Sequence, residues 1–315
     1  TKSAFKGWSM TDGVSILGIF VADLAFRSGR MPAVGETIMG SGFAMGPGGK
    51  GSNQAVAAAR AGAKTRFISR LGQDSFGDIA LATWAAEGID AKVVRSPHAP
   101  TGAAFIYVND VNGENAIIVV PGAAGDISVA DVEAAAETIR SSRVFVTQLE
   151  QPAEAALAAL KIARGAGVTT VFNPAPAAPF DPAIYPLVDY ITPNESETAA
   201  MVGFPVETID DAKRAGDVLL KKGVGVALIT LGEKGALFHA KDRSVLVPAF
   251  HVASVVETAG AGDAFNGGFA AALAEGREPL AAARFGCAVA GIAVTRAGTA
   301  PAMPHRAEVD ALLNR

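Results

Sequence analysis

The sequence predicts an α/β fold in which helices flank a largely parallel β-sheet. Half of the 315 residues are hydrophobic and only 18% are charged, a composition typical of a buried sheet covered by helices rather than of a disordered chain. From about residue 143 onward, short β-branched segments alternate with Ala-rich segments of helical character. Such alternation is typical of right-handed β-α-β units, whose strands run in parallel.

The N-terminal half is predicted to supply one buried strand and a small separate sheet. Residues 14–21 form a β-branched run that predicts the first strand, with Asp23 just beyond its end. Residues 30–46 are broken by glycines and partly alternating, which favours strands outside the main sheet. Residues 101–108 and 116–120 predict a hairpin, because the turn between them is rich in Asn, Asp and Gly.

The C-terminal half is predicted to build most of the main sheet. Its expected strands are 144–147, 168–172, 188–191, 226–230 and 235–240, and its expected helices are 152–165, 195–202, 210–222, 261–275 and 279–294. The Pro-rich residues 173–182 are predicted to form an ordered loop after a strand. We therefore expect a single domain over residues 14–313, with a β lid from about 24–46 and 101–121.

Composition and charge restrict the classes of partner and cellular setting. The formal net charge of -4 gives no basic surface for a phosphate backbone, which argues against nucleic acid as a partner. Cys287 is the single cysteine, so an internal disulfide is impossible and a reducing, cytoplasmic setting is expected. Residues 1–13 lack a long apolar run, and no later stretch is apolar enough to span a membrane, so neither a signal peptide nor a membrane span is expected.

The segment with the clearest chemical character is 260–267 (GAGDAFNG), which opens a long helical pattern. Small residues at a helix start let backbone N–H groups approach an anion, and the helix dipole favours negative charge there. Asp263 would lie in the first turn as an ionised carboxylate able to accept a proton from a hydroxyl, as phosphoryl transfer requires. For an isolated motif of this kind, helix capping by Asp263 and close packing at the glycines is the favoured alternative.

A second Gly-rich segment, 46–54 (GPGGKGSNQ), also runs into an Ala-rich helix. Its spacing differs from that of a P-loop, because the glycines precede the lysine. Backbone amides together with Lys50 and Asn53 could hold sugar hydroxyls. A tight turn with a solvated lysine is an equal alternative from this segment in isolation.

Two further segments carry polar groups at predicted strand ends. In 192–197 (TPNESE), Asn194 could contact phosphate and Glu197 could hold water on Mg²⁺, although helix capping by Asn194 is the favoured local interpretation. Residues 229–235 (ITLGEKG) could offer backbone contacts to a nucleotide or form an ordinary hairpin. Ligands collect at the carboxyl ends of strands in open α/β sheets, so the placement of all four segments together indicates a binding site.

These motifs resemble the ribokinase (PfkB) family of carbohydrate kinases, and the resemblance spans roughly residues 14–313. Residues 48–57 resemble the first signature of the family and residues 257–267 the second; additional similar segments are 148–150, 173–176, 192–195, 229–232 and 293–298. The resemblance implies a three-layer α/β/α sandwich with a small β-sheet lid over the sugar. It also implies an ATP-dependent sugar kinase that uses Mg²⁺, and a homodimer joined through the lids.

The resemblance further implies a role for individual residues. Asp263 would be the catalytic base, with Gly260, Ala261 and Gly262 forming the anion hole. Sugar contacts would come from Asp23, Gly49, Lys50, Asn53, Glu150 and Asp263. ATP would be bound by Asn194, Thr230, Gly232, Gly235 and Gly262, and Glu197 would act on Mg²⁺ through water. A monovalent cation, K⁺, would be bound by a loop that contains Glu257, Ala259, Ala293, Arg296 and Gly298.

Four positions depart from the family pattern. Val21 replaces an Asn beside the sugar and cannot bond a hydroxyl, which predicts a preference for 2-deoxyribose or another sugar over ribose. In the cation loop, Glu257 replaces an Asp and Ala302 a Ser, which predicts weak activation by potassium. Cys287 replaces a polar residue near the adenine and is interpreted as a buried filler.

The predicted reaction is therefore phosphorylation of the primary hydroxyl of a pentose, ribose or 2-deoxyribose, to the 5-phosphate. The alternatives are a kinase for a hexose, a keto-sugar such as fructose, or a nucleoside, for which Phe43, Phe105 and Tyr107 are the candidate base-stacking residues. A non-catalytic sugar or nucleotide sensor on the same fold is a further alternative. A dinucleotide-dependent dehydrogenase is disfavoured, because residues 14–21 lack the Gly-x-Gly-x-x-Gly turn.

Overall fold

The computed structural model describes residues 12–252 and 254–314. The strands of this part are β1 Val14–Leu17, β2 Val21–Ser28, β3 Gly42–Gly48, β4 Thr65–Gly72, β5 Asp90–Ser96, β6 Thr101–Asn109, β7 Asn115–Gly122, β8 Val144–Thr147, β9 Thr169–Phe172, β10 Tyr190–Ile191, β11 Val226–Thr230, β12 Ala236–Ala240 and β13 Ser244–Val247. The α-helices are α1 Lys50–Arg60, α2 Ser75–Ala86, α3 Val129–Ala134, α4 Ala136–Arg140, α5 Ala153–Gly165, α6 Glu195–Val202, α7 Ile209–Lys221, α8 Ala261–Ala274, α9 Pro279–Ala293 and α10 Arg306–Leu313.

The strands of the described chain form two sheets. The main sheet has nine strands in the order β13-β12-β11-β10-β9-β8-β1-β4-β5. Its central strands pair in parallel, and the β11, β12 and β13 edge is antiparallel. The smaller sheet has four strands in the order β3-β2-β6-β7.

The core lies on both faces of the main sheet. On β8, Val144 and Val146 belong to one buried cluster with Phe265 of α8, while Phe145 between them belongs to a second cluster with Leu160 of α5. Successive side chains of a strand point to opposite faces, so this division shows that helices cover both sides. The α/β sandwich expected from the alternation of strands and helices is confirmed.

Most predicted elements of the C-terminal half are confirmed. Strands 144–147 and 226–230 and helix 195–202 have the predicted bounds, and the remaining predicted strands and helices of that half are found within two residues at most boundaries. The hairpin is also confirmed, since β6 and β7 pair antiparallel. Each of these segments has strong local periodicity and a clear breaker at its ends.

The prediction of one continuous strand over residues 14–21 is wrong. β1 ends at Leu17, and β2 begins at Val21 in the other sheet, so that Asp23 lies within β2 rather than beyond a strand end. The break occurs at Gly18, where a Cβ atom would lie 2.7 Å from the Cα of Gly51 and 2.7 Å from Oε1 of Gln148. The chain leaves the main sheet here because α1 and the residues after β8 approach its backbone closely.

Strands were also expected within residues 30–46, and this is only partly correct. β3 begins at Gly42, and the described residues 29–41 contain no strand. Arg30 instead pairs with Glu36 at 2.5 Å, and Glu36 also accepts a hydrogen bond from the backbone of Ala33 at 2.9 Å. The ion pair and this backbone hydrogen bond fold residues 30–36 into a turn, so that this segment is not extended.

None of the helices in the described ranges is long and apolar enough to cross a membrane. The expectation that residues 1–13 hold no signal peptide falls almost entirely on residues outside those ranges.

Candidate active site

Polar side chains converge where three central strands of the main sheet end and two helices begin. Gln148 and Glu150 follow β8, Asn173 follows β9, and Thr192 follows β10. α1 begins at Lys50 and α8 at Ala261. The carboxyl ends of parallel strands lie at one edge of a sheet, so all these groups surround one cleft.

Asp263 is the most enclosed acid of this cleft. It lies in the first turn of α8 and is 7% exposed. Its Oδ2 accepts a hydrogen bond from Asn53 Nδ2 at 3.0 Å, and its Oδ1 accepts one from Gln54 Nε2 at 3.0 Å. Burial raises the pKa of Asp263, while the Lys50 ammonium and the two amides oppose that rise.

The helix-capping interpretation of Asp263 is wrong. The N-cap of α8 is Gly260, with φ of 77°, and no side chain caps this helix. Asp263 instead bonds to α1, a separate helix. Of the amides expected to form an anion hole, that of Ala261 donates to the Thr258 carbonyl at 3.2 Å. The space beside Gly262 is open, since a Cβ atom there would meet nothing within 4 Å.

Lys50 is placed by an unusual backbone conformation. Gly49 precedes it with φ of 91°, and a Cβ at Gly49 would lie 2.5 Å from the Ile19 carbonyl oxygen, so the turn requires glycine. Burial lowers the pKa of the Lys50 ammonium, but Asp263, Glu150 and Glu197 together raise it above its usual value. The lysine is thus half-buried among carboxylates, unlike the solvated side chain of the alternative interpretation.

Two more acids face the cleft with raised pKa values. Burial raises the pKa of Glu150 to about 7 against the opposing effect of Lys50, whose backbone N–H donates to Glu150 Oε2 at 2.7 Å. Burial, followed by the charges of Asp263 and Glu257, raises the pKa of Asp23 to about 6. The Asp23 carboxylate packs over Gly48 of β3 and accepts no hydrogen bond from a described residue. A ligand hydroxyl is the group that such a carboxylate lacks.

Asn194 and Glu197 form a reciprocal capping box at the start of α6. Glu197 N donates to Asn194 Oδ1 at 2.8 Å, and Asn194 N donates to Glu197 Oε2 at 2.9 Å. The capping interpretation of Asn194 is therefore confirmed. Glu197 is 9% exposed, and burial raises its pKa. Its Oε1 accepts no hydrogen bond from the described residues, so one oxygen is available to water.

The 229–235 segment is a hairpin turn, as its alternative interpretation expected. β11 and β12 pair antiparallel, and a Cβ at Gly235 would lie 2.1 Å from the Val247 carbonyl oxygen. The turn is nevertheless close to α6, because Thr230 N donates to the Pro193 carbonyl at 2.9 Å. Asn194, Thr230 and Gly232 are thereby brought to one edge of the cleft.

The predicted cation loop is held together by the protein itself. Glu257 Oε2 accepts a hydrogen bond from Gly298 N at 2.8 Å. The Ala293 carbonyl accepts one from Arg296 N at 3.1 Å. Arg296 also forms an ion pair with Glu308, and Ala302 is buried. Across residues 12–252 and 254–314, no group of three or more His, Cys, Asp or Glu side chains is arranged to hold a metal ion.

Cys287 is a buried filler, as expected. It is 6% exposed within the main core cluster, and burial raises the pKa of its thiol to about 12. A thiol of this kind is inert at neutral pH.

The aromatic residues suggested for base stacking lie away from Asp23. Asp23 is in register with Ala104 of β6, and both face the cleft, so Phe105 and Tyr107 point to the opposite face. Phe43 and Phe105 each contact Phe26 there, with ring centroids 5.0 and 5.7 Å apart. The cleft thus lacks the aromatic wall that these three residues were expected to supply for a nucleoside.

A group of buried amides beneath Asp263 was not predicted from the sequence. Gln54 donates to Asn173 Oδ1 at 3.1 Å, and Asn173 Nδ2 donates to the Thr192 carbonyl at 2.8 Å. Thr192 Oγ1 then donates to Asn266 Oδ1 at 2.6 Å, and Asn266 Nδ2 to the Gly262 carbonyl at 2.9 Å. Polar residues directly after buried strands were the available signal for this network.

The chain is similar to known carbohydrate kinases. Residues 11–306 match the model of the pfkB family carbohydrate kinases. A ribokinase of Haemophilus influenzae is 39% identical over 300 residues, which cover 95% of this chain and 97% of that protein. A deoxyribokinase of Salmonella typhi is 36% identical over 293 residues, covering 92% and 95%.

The fold is also similar to those of solved ribokinase structures. A ribokinase of Thermotoga maritima superposes with a TM-score of 0.89 at 35% identity, covering 96% of this chain and 100% of that one. The Arabidopsis thaliana ribokinase in complex with ribose and ATP superposes with a TM-score of 0.91 at 30% identity, covering 97% and 100%.

Proposed function

The chain belongs to the pfkB family of carbohydrate kinases, as its motifs indicated, and we propose that it transfers the γ-phosphoryl group of ATP to the primary hydroxyl of a pentose, ribose or 2-deoxyribose. The observation that carries the proposal is the placement of Asp263. It is a buried carboxylate in the first turn of a helix, 3.0 Å from two amides of α1 and within the field of Lys50. A base at a helix start is suited to receive a proton beside a phosphoryl group.

Asp263 would accept the hydroxyl proton as the sugar oxygen attacks the γ-phosphorus. The start of α8, at Gly260, Ala261 and Gly262, would offset charge on the phosphoryl oxygens. Gly262 is the residue best suited to approach them, because the space beside it is open. The Ala261 amide would first have to give up its bond to the Thr258 carbonyl.

Sugar hydroxyls would bind to Asp23, Lys50, Asn53 and Glu150, with Gly49 allowing close approach of the backbone. Asn53 supports this role, because its Oδ1 is buried and has no hydrogen-bond partner among the described residues. An acceptor of this kind is satisfied by a hydroxyl that donates to it. The free carboxylate of Asp23 supplies a second acceptor on the opposite side of the cleft.

The wall around Val21 favours 2-deoxyribose as the better substrate. Val21 is 3% exposed, lies on the same face of β2 as Asp23, and is flanked in register by Gly48 and Gly102. None of these three residues offers a polar side chain, and the Asp23 carboxylate covers Gly48. A hydroxyl that points at Val21 rather than at Asp23 would therefore lose its bonds to water, at about 1–3 kcal/mol. The deoxyribokinase of Salmonella typhi among the relatives supports the same substrate.

ATP would bind along the edge formed by Asn194, Thr230, Gly232 and Gly235, next to Gly262. A bound Mg²⁺ would supply positive charge that offsets the charge of the phosphates. Glu197 fits a water-mediated contact to that ion, because it is a buried carboxylate with one free oxygen. A potassium ion would be bound by the loop of Glu257, Ala259, Ala293, Arg296 and Gly298.

The four-stranded sheet would act as a lid over the sugar and as the contact surface of a homodimer. It comprises residues 21–28, 42–48, 101–109 and 115–122, close to the lid expected at about 24–46 and 101–121. Its outer strand exposes Ile117, Ile118, Val119 and Val120, each at least 46% exposed. An apolar strand of this kind usually meets a partner. We also propose a cytoplasmic location, which a single buried cysteine supports.

A substrate panel tests the function. ADP release with Mg²⁺ and ATP would be measured for ribose, 2-deoxyribose, fructose, a hexose and adenosine, with Asp263→Asn as the matched inactive control. Turnover of a pentose, and little with the others, is expected. Faster turnover of fructose or adenosine would contradict the pentose assignment, and sugar binding without any ADP release would favour a non-catalytic sensor.

A further inference from the structure

Gln54 is a fully buried side chain in direct contact with the proposed base. Its Nε2 donates to Asp263 Oδ1 at 3.0 Å and to Asn173 Oδ1 at 3.1 Å. Its Oε1 accepts a hydrogen bond from Gln148 Nε2 at 2.6 Å. Both N–H donors of the Gln54 amide are therefore used within the protein, and its oxygen is held by Gln148.

The orientation of this amide is fixed by the charge of Asp263. An ionised carboxylate only accepts hydrogen bonds, so the Gln54 atom that faces Asp263 must be the nitrogen. The Gln54 oxygen then faces Gln148, which must present its own nitrogen. If the Gln54 amide were turned over, its oxygen would face the Asp263 carboxylate, acceptor against acceptor, and its nitrogen would face Gln148 Nε2, donor against donor. Only the observed orientation is therefore stable.

Asn53 holds the other carboxylate oxygen in a different way. Its Nδ2 donates to Asp263 Oδ2 at 3.0 Å, but its Oδ1 has no partner in the described part of the chain. A ligand hydroxyl can therefore donate to Asn53 Oδ1, or to the lone pair that Asp263 Oδ2 retains beside its bond to Asn53. Gln54 cannot leave Oδ1 without breaking its bonds to Gln148 and Asn173 as well.

The contact between Gln54 and Asp263 depends on the close approach of α1 and α8. A Cβ atom at Gly267 would lie 2.5 Å from the Gln54 carbonyl oxygen and 2.5 Å from the Cβ of Ala57. The two helices thus touch through backbone, one turn beyond Asp263. At that separation a glutamine side chain spans the gap to the carboxylate.

We propose that Gln54, held by Gln148, is a positioning residue that fixes Asp263 through Oδ1 and leaves Oδ2 to receive the proton of the sugar hydroxyl. The inference rests on the proposed kinase activity. As the sugar oxygen bonds to the γ-phosphorus, the bond from that phosphorus to the bridging oxygen breaks, ADP leaves, and the hydroxyl proton moves to Oδ2. One fixed orientation of the carboxylate serves the whole step.

Gln54→Met tests the proposal, because it keeps the length of the side chain and removes its hydrogen bonds. We expect kcat to fall by about 10- to 100-fold, as for a misplaced catalytic group, with the KM for the sugar changed little. The acid limb of the pH profile of kcat should move to higher pH, because the ionised carboxylate loses a donor. Gln54→Glu should move it further, because it adds a negative charge.

The charged groups around Asp263 remain the same in Gln54→Met. They are Lys50 on α1, Asp23 on β2, Glu150 after β8 and Glu197 on α6. A shift of the acid limb in Gln54→Met therefore reports the lost contact to Asp263.

Gln151→Met is the matched control. Gln151 is 3% exposed, and its amide donates to Thr147 Oγ1 at 2.8 Å and to the Gln148 carbonyl at 2.6 Å, without reaching Asp263. It should lower the melting temperature while leaving the pH profile unchanged. Should Gln54→Met not fold, Gln148→Met takes its place: it frees the Gln54 oxygen and should give a smaller shift of the acid limb in the same direction.

A second measurement needs no substrate. NMR titration of protein with ¹³C-carboxyl aspartate, assigned through Asp263→Asn, follows Asp263 directly and should show the same upward shift in Gln54→Met. An unchanged titration and an unchanged acid limb in the folded variant would overturn the proposal, as would an equal shift in Gln151→Met. An inactive parent enzyme whose Asp263 titration still responds to Gln54 would refute the pentose kinase function while supporting the positioning contact.

Discussion

Asp23→Asn should stabilise the ligand-free protein at neutral pH. Burial above all, with the charges of Asp263 and Glu257, raises the pKa of Asp23 from 3.8 to about 6. Between these two values the native state holds the proton more tightly than the unfolded chain, so the free energy of unfolding falls as the pH rises through that window. Since a pKa unit corresponds to about 1.4 kcal/mol, the loss reaches about 3 kcal/mol above the native pKa.

Asparagine carries no charge and cannot titrate, so the variant should escape this loss. Asp23 accepts no hydrogen bond from a described residue, and the substitution therefore breaks no contact there. Urea unfolding would be followed by tryptophan fluorescence at about pH 4, pH 6 and pH 8. The variant should show a flatter pH dependence and, at the highest pH, a free energy of unfolding up to about 3 kcal/mol above that of the parent.

The control is Asp90→Asn, which removes an exposed carboxylate from β5 at the far edge of the main sheet, where Asp90 pairs with Lys92 at 2.9 Å. Loss of such an exposed pair should change the free energy of unfolding by no more than about 1 kcal/mol. Parallel pH curves for Asp23→Asn and the parent, or a variant less stable at the highest pH, would refute the reasoning. Asp23→Asn should also bind a pentose more weakly, because Asp23 is a proposed ligand of the sugar hydroxyls.

Four further outcomes are expected. Asp263→Asn should lower kcat by about 10²- to 10⁴-fold, the usual contribution of a general base, while calorimetry shows pentose binding largely retained; near-normal turnover would exclude Asp263 as the base. Val21→Asn should raise the ratio of kcat/KM for ribose over 2-deoxyribose by about 10-fold or more, and an unchanged ratio would contradict the apolar-wall argument. Potassium added to a sodium-free assay should give only a small gain in rate, because Glu257 already bonds Gly298 N at 2.8 Å; a large gain would count against this. Ile117 and Ile118 point to opposite faces of β7, so in sedimentation either Ile117→Glu or Ile118→Glu should dissociate the proposed homodimer; a monomeric parent, or two intact dimers, would exclude the lid contact.

Local signals were sufficient for the C-terminal half of the fold. The strands at 144–147 and 226–230 are short β-branched runs with clear breakers, and their bounds follow from those signals. The capping box at the start of α6 was equally local, since Asn194 and Glu197 occupy fixed positions three residues apart. The helix start at the proposed catalytic segment could be located because Gly260 and Gly262 stand just before Asp263 at the start of a helical pattern.

Features that depend on distant contacts could not be predicted. The run through residues 14–21 has the hydrophobicity of one strand, and its break at Gly18 is imposed by Gly51 and Gln148, which are remote in sequence. Gln54 lies within the Gly-rich segment 46–57, but nothing in that segment indicates a contact with Asp263, because the contact forms only when α8 packs against α1. Its role follows only from the contact to Asp263.

The break at Gly18 also has a mechanical consequence. Residues 18–20 are the whole link between β1 in the main sheet and β2 in the four-stranded sheet. Asp23 therefore lies in the four-stranded sheet, whereas Asp263 lies on α8, which packs on the main sheet. The two carboxylates face each other across the cleft. A pentose bound to both carboxylates would link the two sheets. Sugar binding would therefore also restrict sliding of the four-stranded sheet over the main sheet.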